Sequence, residues 1–278
     1  MMRIIVFSVL FLFFISCEKE IAIQVSDVQQ QYVVEASINQ LFPTLNYVYI
    51  TQTIDYFKPE FSLNGLTDAD VKITEGAVVG VDTFFNGTVF NFIPVSDSIL
   101  PGIYTNPLFQ GKLNTPYLLT IALTDGSKIS GSTFIGKPPV IDSLVNWSTI
   151  QDKDTSCYFW MQWKDGPEQN NYRMAVYNGY DSLLLGWGAA QRFYTFDDQL
   201  INNTTRPFRS LRPYAFGDTI SIYLSEIGRK EFLFWQSFGT AVNNNGPFAS
   251  PVSVKSTVKG AVGSFTGYAI AQKKFIIK

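Results

Sequence analysis

Histidine is absent from this 278-residue chain, and cysteine occurs only twice, as Cys17 and Cys157. The first absence removes whole classes of chemistry. Ser-His-Asp and Cys-His nucleophilic arrangements cannot be built, nor can the common histidine-containing zinc sites. Carboxylate-only chemistry, such as a glycosidase acid and base pair, stays open. With two cysteines, any other use of Cys17 leaves Cys157 without an intramolecular disulfide partner. Cys157 sits in Ser156-Cys-Tyr-Phe-Trp-Met-Gln-Trp163, where a buried, inert thiol in a strand is expected rather than a reactive one. Charge is also scarce. Lys and Arg number 21 against 23 Asp and Glu, for a net charge of −2 with 16% charged residues. No long basic run is present, so nothing marks a nucleic-acid surface.

Long apolar runs are missing too. The most prominent extends from Ile4 to Ile15, 12 residues, whereas a membrane-spanning helix needs roughly 20. With Arg3 before it and Ser16-Cys17 after it, this run has the layout of a secretory signal. Phe14-Ile15-Ser16-Cys17 resembles a bacterial lipobox, although Phe14 stands where Leu, Val or Ile is usual. Cys17 is therefore the expected lipidation site, and several acyl chains at about 0.8 kcal/mol per buried methylene hold a protein stably to a membrane. The charged residues Glu18, Lys19 and Glu20 that follow resemble, in part, the export signals of Bacteroidetes surface lipoproteins.

Removing a 17-residue signal leaves 261 residues, which the usual domain size divides into two. The mature chain reads as short strands throughout, with β-branched and aromatic residues alternating between Gly, Pro, Asn and Asp punctuation. A first group covers 32–38, 47–54, 71–75, 89–95, 117–124 and 128–135. Asp125-Gly126 predicts a two-residue hairpin turn. Pro138-Pro139 then interrupts the pattern with residues that cannot donate to a ladder. A second group covers 144–149, 158–163, 172–177, 193–196, 219–224, 252–257 and 261–277. One helix is expected, capped at Ser225, carrying Phe234, Trp235 and Phe238, and ending at Gly239. The expectation is an all-β chain with one short helix. It comprises the signal (1–17), an immunoglobulin-like β-sandwich (18–137) and a C-terminal β-sandwich (138–278).

Several residues are candidates for function. Alternation sends Trp160 and Trp163 to opposite faces of one strand, so one belongs in the core and Trp160 is a candidate ligand contact. Trp187, between Gly186 and Gly188, is another, in a segment suited either to a ligand loop or to a tight bend. The pairs Asp152/Asp154 and Asp197/Asp198 offer oxygen ligands, but neither extends into a calcium-loop motif, and solvated turns explain them better. No metal, cofactor or catalytic residue is expected. Four triplets, beginning at Asp97, Asp142, Asp181 and Asp218, place Ser98, Ser143, Ser182 and Thr219 between Asp and an aliphatic residue. They resemble the O-glycosylation acceptor motif of exported Bacteroidetes proteins, while Asp-Ser is also ordinary turn chemistry.

The closing segment 245–268, with Pro247, Phe248, Pro251, Ser256, Gly260, Gly263, Phe265 and Gly267, resembles the C-terminal signature of the DUF4249 family of Bacteroidetes lipoproteins. Thr257 stands where that family often has Asn, and Ala261 where a second Gly is common. Tyr32-Val-Val-Glu-Ala-Ser-Ile38, Ala69-Asp-Val-Lys-Ile73, Gly102-Ile-Tyr104 and Tyr117-Leu-Leu-Thr-Ile121 agree with it; Asn114 departs from a glycine often seen there. Proteins of that family are often encoded beside TonB-dependent outer-membrane receptors. The resemblance implies a non-catalytic outer-membrane lipoprotein, anchored by lipid and facing the cell surface, that assists such a receptor in nutrient capture. A free-standing adhesin or carbohydrate-binding protein is the alternative.

Overall fold

The computed structural model describes residues 30–54, 64–96, 101–151, 154–179, 192–199, 205–210, 213–244, 250 and 252–278. The chain is all-β with a single α-helix among these residues, as its alternation predicts. In order, the strands are β1 (Tyr32–Asn39), β2 (Tyr47–Gln52), β3 (Asp70–Glu75), β4 (Ala77–Val79), β5 (Asp82–Phe84) and β6 (Val89–Pro94). Next come β7 (Ile103–Thr105), β8 (Thr115–Ala122), β9 (Lys128–Ile135), β10 (Val140–Gln151), β11 (Asp154–Lys164) and β12 (Asn171–Asn178). The chain continues through β13 (Arg192–Asp197), β14 (Thr205–Arg209), β15 (Thr219–Ile227), helix α1 (Arg229–Asn243), β16 (Val258–Lys259) and β17 (Val262–Ile276).

Twelve strands form one curled sheet, in the order β13-β12-β15-β17-β1-β2-β7-β6-β3-β8-β9-β16. Strand β17 joins its two parts. Val262 to Tyr268 pair in parallel with Val33 to Asn39 of β1, and Ala269 to Ile276 pair antiparallel with β15. The last strand therefore closes on the first. On the β1 side, Val34, Ala36, Ile38 and Phe265 enter a core shared with Ile73, Tyr117, Leu119 and Ile121 from β3 and β8. The polar alternates Glu35 and Ser37, opposite Ser264 and Thr266, occupy the other face.

The β13-β12-β15-β17 part of the sheet is covered on both sides. One face packs on the three-stranded sheet β10-β11-β14 through Phe159, Met161, Trp163, Met174, Ile222 and Leu224. The other takes Phe232 of α1 against Ala175, Tyr177, Tyr223 and Ile270. Burial on both faces explains why residues 171–177 and 220–225 are continuously buried rather than alternating.

The structure departs from the sequence reading in three places. Ser225 does not cap the helix, because β15 continues its ladder with β12 as far as Ile227. The cap is Gly228, in extended conformation, and α1 runs through Gly239 to Asn243. Residues 252–257 are not a strand: one backbone bond, Thr257 N to Gly263 O, is joined by Ser256 Oγ and Thr257 Oγ1, which accept from Gly263 N and Phe265 N. The Asp125-Gly126 turn is longer than two residues. Leu123 N bonds to Ser127 O, Gly126 N returns to Leu123 O, and Gly126 alone of the pair takes positive φ, the type I turn with a glycine bulge.

Gly263 has φ 140°, and a Cβ there would lie 1.8 Å from Val34 O. Gly263→Ala should lower the unfolding free energy by about 3 kcal/mol or more. Gly239, inside the helix with nothing within 4 Å of a Cβ, should instead gain about 1 kcal/mol as alanine; urea denaturation distinguishes the two.

Glu231 tests how the helix is docked. It is 1% exposed, its Oε1 accepts from Thr133 Oγ1 at 2.9 Å, and burial raises its carboxyl above the ordinary glutamate range. A folded-state value above the unfolded one means that the folded protein binds the proton more tightly. This group therefore opposes stability at neutral pH, and the penalty fades as pH falls through its folded pKa toward the ordinary glutamate range. Glu231→Gln retains an acceptor for Thr133, so it should raise the neutral-pH melting temperature and flatten the gain on acidification, read from thermal melts across pH.

Candidate functional site

Helix α1 lies against the sheet with Phe232 and Phe234 buried, while Gln236, Phe238, Thr240 and Val242 are exposed. Between the helix and strands β12 and β13 lies a cleft of about 920 Å³. Its wall contains Glu35 of β1, Arg173 of β12, Phe193 and Thr195 of β13, and, from the helix and its end, Trp235, Gln236, Phe238 and Asn243 with Asn244 among others.

Arg173 is the organising residue. It stands in the doubly covered strand β12 and is 4% exposed. A buried charge needs partners that replace water. The Arg173 guanidinium carbon is 3.4 Å from the Trp235 ring centroid and 4.4 Å from that of Phe193, so the cation lies between two rings. Its Nη1 donates to Tyr268 Oη at 2.6 Å. A desolvated cation–π contact contributes on the order of 2 kcal/mol. With aromatic rings against the guanidinium, a ligand would meet it at its edge, the geometry that suits planar acceptors such as carboxylates.

Glu35 is the opposing charge in the same cleft, and Tyr47 Oη donates to its Oε1 at 2.6 Å. Burial first, and then the Glu35 charge, hold the Tyr47 hydroxyl well above its ordinary pKa. Burial likewise raises that of Tyr268, with Arg173 working against the shift. Both phenols therefore remain protonated donors at neutral pH. Beside Glu35, the buried hydroxyls of Ser264 and Ser37 have no hydrogen-bond partner among the described residues. The cleft thus combines a clamped cation, a carboxylate, ring faces from Phe193, Trp235 and Phe238, and the amides of Gln236, Asn243 and Asn244. Such a mixture of apolar wall and a few placed polar groups is the make-up of a ligand pocket.

None of the candidate functional residues that the structure describes lies in this cleft. Cys17, Ser98, Ser182, Trp187 and Asp152 fall outside the described residues. Ser143, on β10, is half-buried and its Oγ donates to Gln162 Oε1 at 3.1 Å; Thr219 opens β15 and is also half-buried. Trp163 is in the core, while Trp160 is 40% exposed on the outer face of β11. Asp154 starts β11. Asp197 pairs with Arg229 at 2.8 Å, and buried Asp198 accepts from Asn170 N at 2.7 Å, so both tie β13 to its neighbours. No group of three His, Cys, Asp or Glu is placed to hold a metal among the described residues. Cys157 is fully buried. Arg173 was overlooked, although a lone charge within Asn-Tyr-Arg-Met-Ala-Val-Tyr was a readable signal, because so apolar a strand has no solvent face to carry it.

No helix among the described residues is long and apolar enough to cross a membrane. No protein-family model matches the chain, and no curated protein matches it. Among solved structures it is similar to a DUF3823 family protein from Bacteroides uniformis, at 9% identity and a TM-score of 0.26, with 90% of this chain and 100% of that one covered.

Proposed function

We propose that this protein is a non-catalytic, lipid-anchored outer-membrane protein that captures a small polar solute in the cleft beside α1 and passes it to a TonB-dependent receptor. The observation that carries the binding reading is Arg173, a buried cation held between Phe193 and Trp235 at the base of a cleft rimmed with amides. A purely structural role would be met more cheaply by an apolar residue of similar size, since exchanging buried ions for packed apolar groups is often neutral or stabilising. The lipobox ending at Cys17 supports the anchor, and the DUF4249-like signature at 245–268 supports the receptor partnership. Tethering donor and receptor on one membrane makes transfer nearly intramolecular, so modest affinity suffices.

Titrating the full chain with a panel of monosaccharides, amino acids and dipeptides, followed by tryptophan fluorescence, should find a ligand that perturbs Trp235. Arg173→Met and Trp235→Leu should each weaken it by about tenfold or more. Failure of every compound, or binding undiminished in Arg173→Met, would argue against the cleft. For the partner, a mild-detergent pull-down of tagged lipoprotein from host outer membranes should recover a TonB-dependent barrel in stoichiometric amount. Lipoprotein recovered alone would remove the receptor from the proposal.

A further inference from the structure

A second surface, independent of the cleft, lies on the outer face of the sheet β10-β11-β14. One face of this sheet is buried, so the other is expected to be polar. Strand β11 instead alternates Cys157, Phe159, Met161 and Trp163 inward with Tyr158 and Trp160 outward. Across the ladder, Tyr158 faces Trp147, and Trp160 stands between Val145 and Arg209. The rings of Trp147 and Tyr158 stack at 5.5 Å with an interplanar angle of 17°. The Arg209 guanidinium lies 4.9 Å from the Trp147 ring and 5.8 Å from that of Tyr158. Trp147, Trp160 and Arg209 line a shallow hollow of about 360 Å³. Trp160 is 40% and Val145 52% exposed, and the core beneath is filled without either.

The charge lining the hollow is that of Arg209, and Lys164 lies farther along the same outer face of β11. We propose that this face binds an acidic polysaccharide, a polymer of uronate-type sugars. The C–H faces of pyranose rings carry slight positive charge and pack on the electron-rich faces of tryptophan and tyrosine. The uronate carboxylate supplies the planar acceptor that a guanidinium fork engages through two parallel bonds. An open sheet face suits an extended polymer, because Tyr158 and Trp160 stand about 7 Å apart along the strand and offer successive contacts in line.

The test is affinity electrophoresis of the full chain through native gels containing polygalacturonate or, as a neutral comparison, dextran. Polygalacturonate should retard the protein and dextran should not. Trp160→Ala and Arg209→Gln should each raise the apparent dissociation constant about tenfold, and the retardation left in Arg209→Gln should depend less on salt. Both side chains are exposed, and thermal melts coinciding with the parent chain confirm that each variant is folded. The cleft variants Arg173→Met and Trp235→Leu should be retarded like the parent chain, which separates this surface from the solute site. No retardation by polygalacturonate, or retardation unchanged in both surface variants, overturns the proposal; equal retardation by dextran overturns its acidic selectivity.

Discussion

The fold depends on the pairing of β17 with two unlike neighbours. A strand that is parallel to β1 over its first half and antiparallel to β15 over its second must come close to backbones on several sides. Side chains limit such approach, and β17 has none at the tightest points. At Gly263 the Val34 carbonyl occupies the space a Cβ would need, and at Gly267 the backbone N–H reaches Thr133 Oγ1 while Phe134 O and Ile135 close around the α-carbon. Thr133 is also the residue that bonds Glu231 of the helix. The last strand, β9 and α1 thus meet through one hydroxyl, and the placement of the helix follows from the way β17 is laid down.

That placement creates the cleft. Because α1 covers one face of β12 and the β10-β11-β14 sheet covers the other, no residue of β12 can reach bulk water by turning over. Arg173 must therefore be satisfied in place, by Trp235 from the helix, Phe193 from the edge strand and Tyr268 from β17. Each of these comes from a different element, so the cation senses the positions of all three. The same geometry keeps Tyr47 and Tyr268 neutral and Glu35 hydrogen-bonded, which preorganises the polar groups before any ligand arrives.

Strand identity was legible because it rests on local alternation. Tyr32–Asn39, Lys128–Ile135 and Val262–Ile276 match the expected spans to within one residue at each end. Short strands such as β4, β5 and β7 escaped because three residues hold too little periodicity to read. The helix start was misplaced for a tertiary reason: Ser225 is a good cap in isolation, but the ladder between β12 and β15 holds it in a strand, and the helix begins after Gly228. The cleft was not legible, since Arg173, Phe193 and Trp235 meet through the packing of β12, β13 and α1, and Glu35 joins them only through the β1–β17 pairing, whose partners lie more than 200 positions apart. The opposite facing of Trp160 and Trp163 was legible, because a two-residue period is enough to say that they part company.

The closure of β17 on β1 also bears on how the chain reaches its native state. Gln40 Nε2 donates to Ile270 O across 230 positions, and the core that holds Val34, Ala36 and Ile38 is completed by Phe265. The core around β1 is therefore incomplete until β17 has been laid beside it. Loop closure over such a separation is slow. Until β17 is in place, the edge of β1 that it covers stays unpaired, and the sheet is obliged to form as a whole.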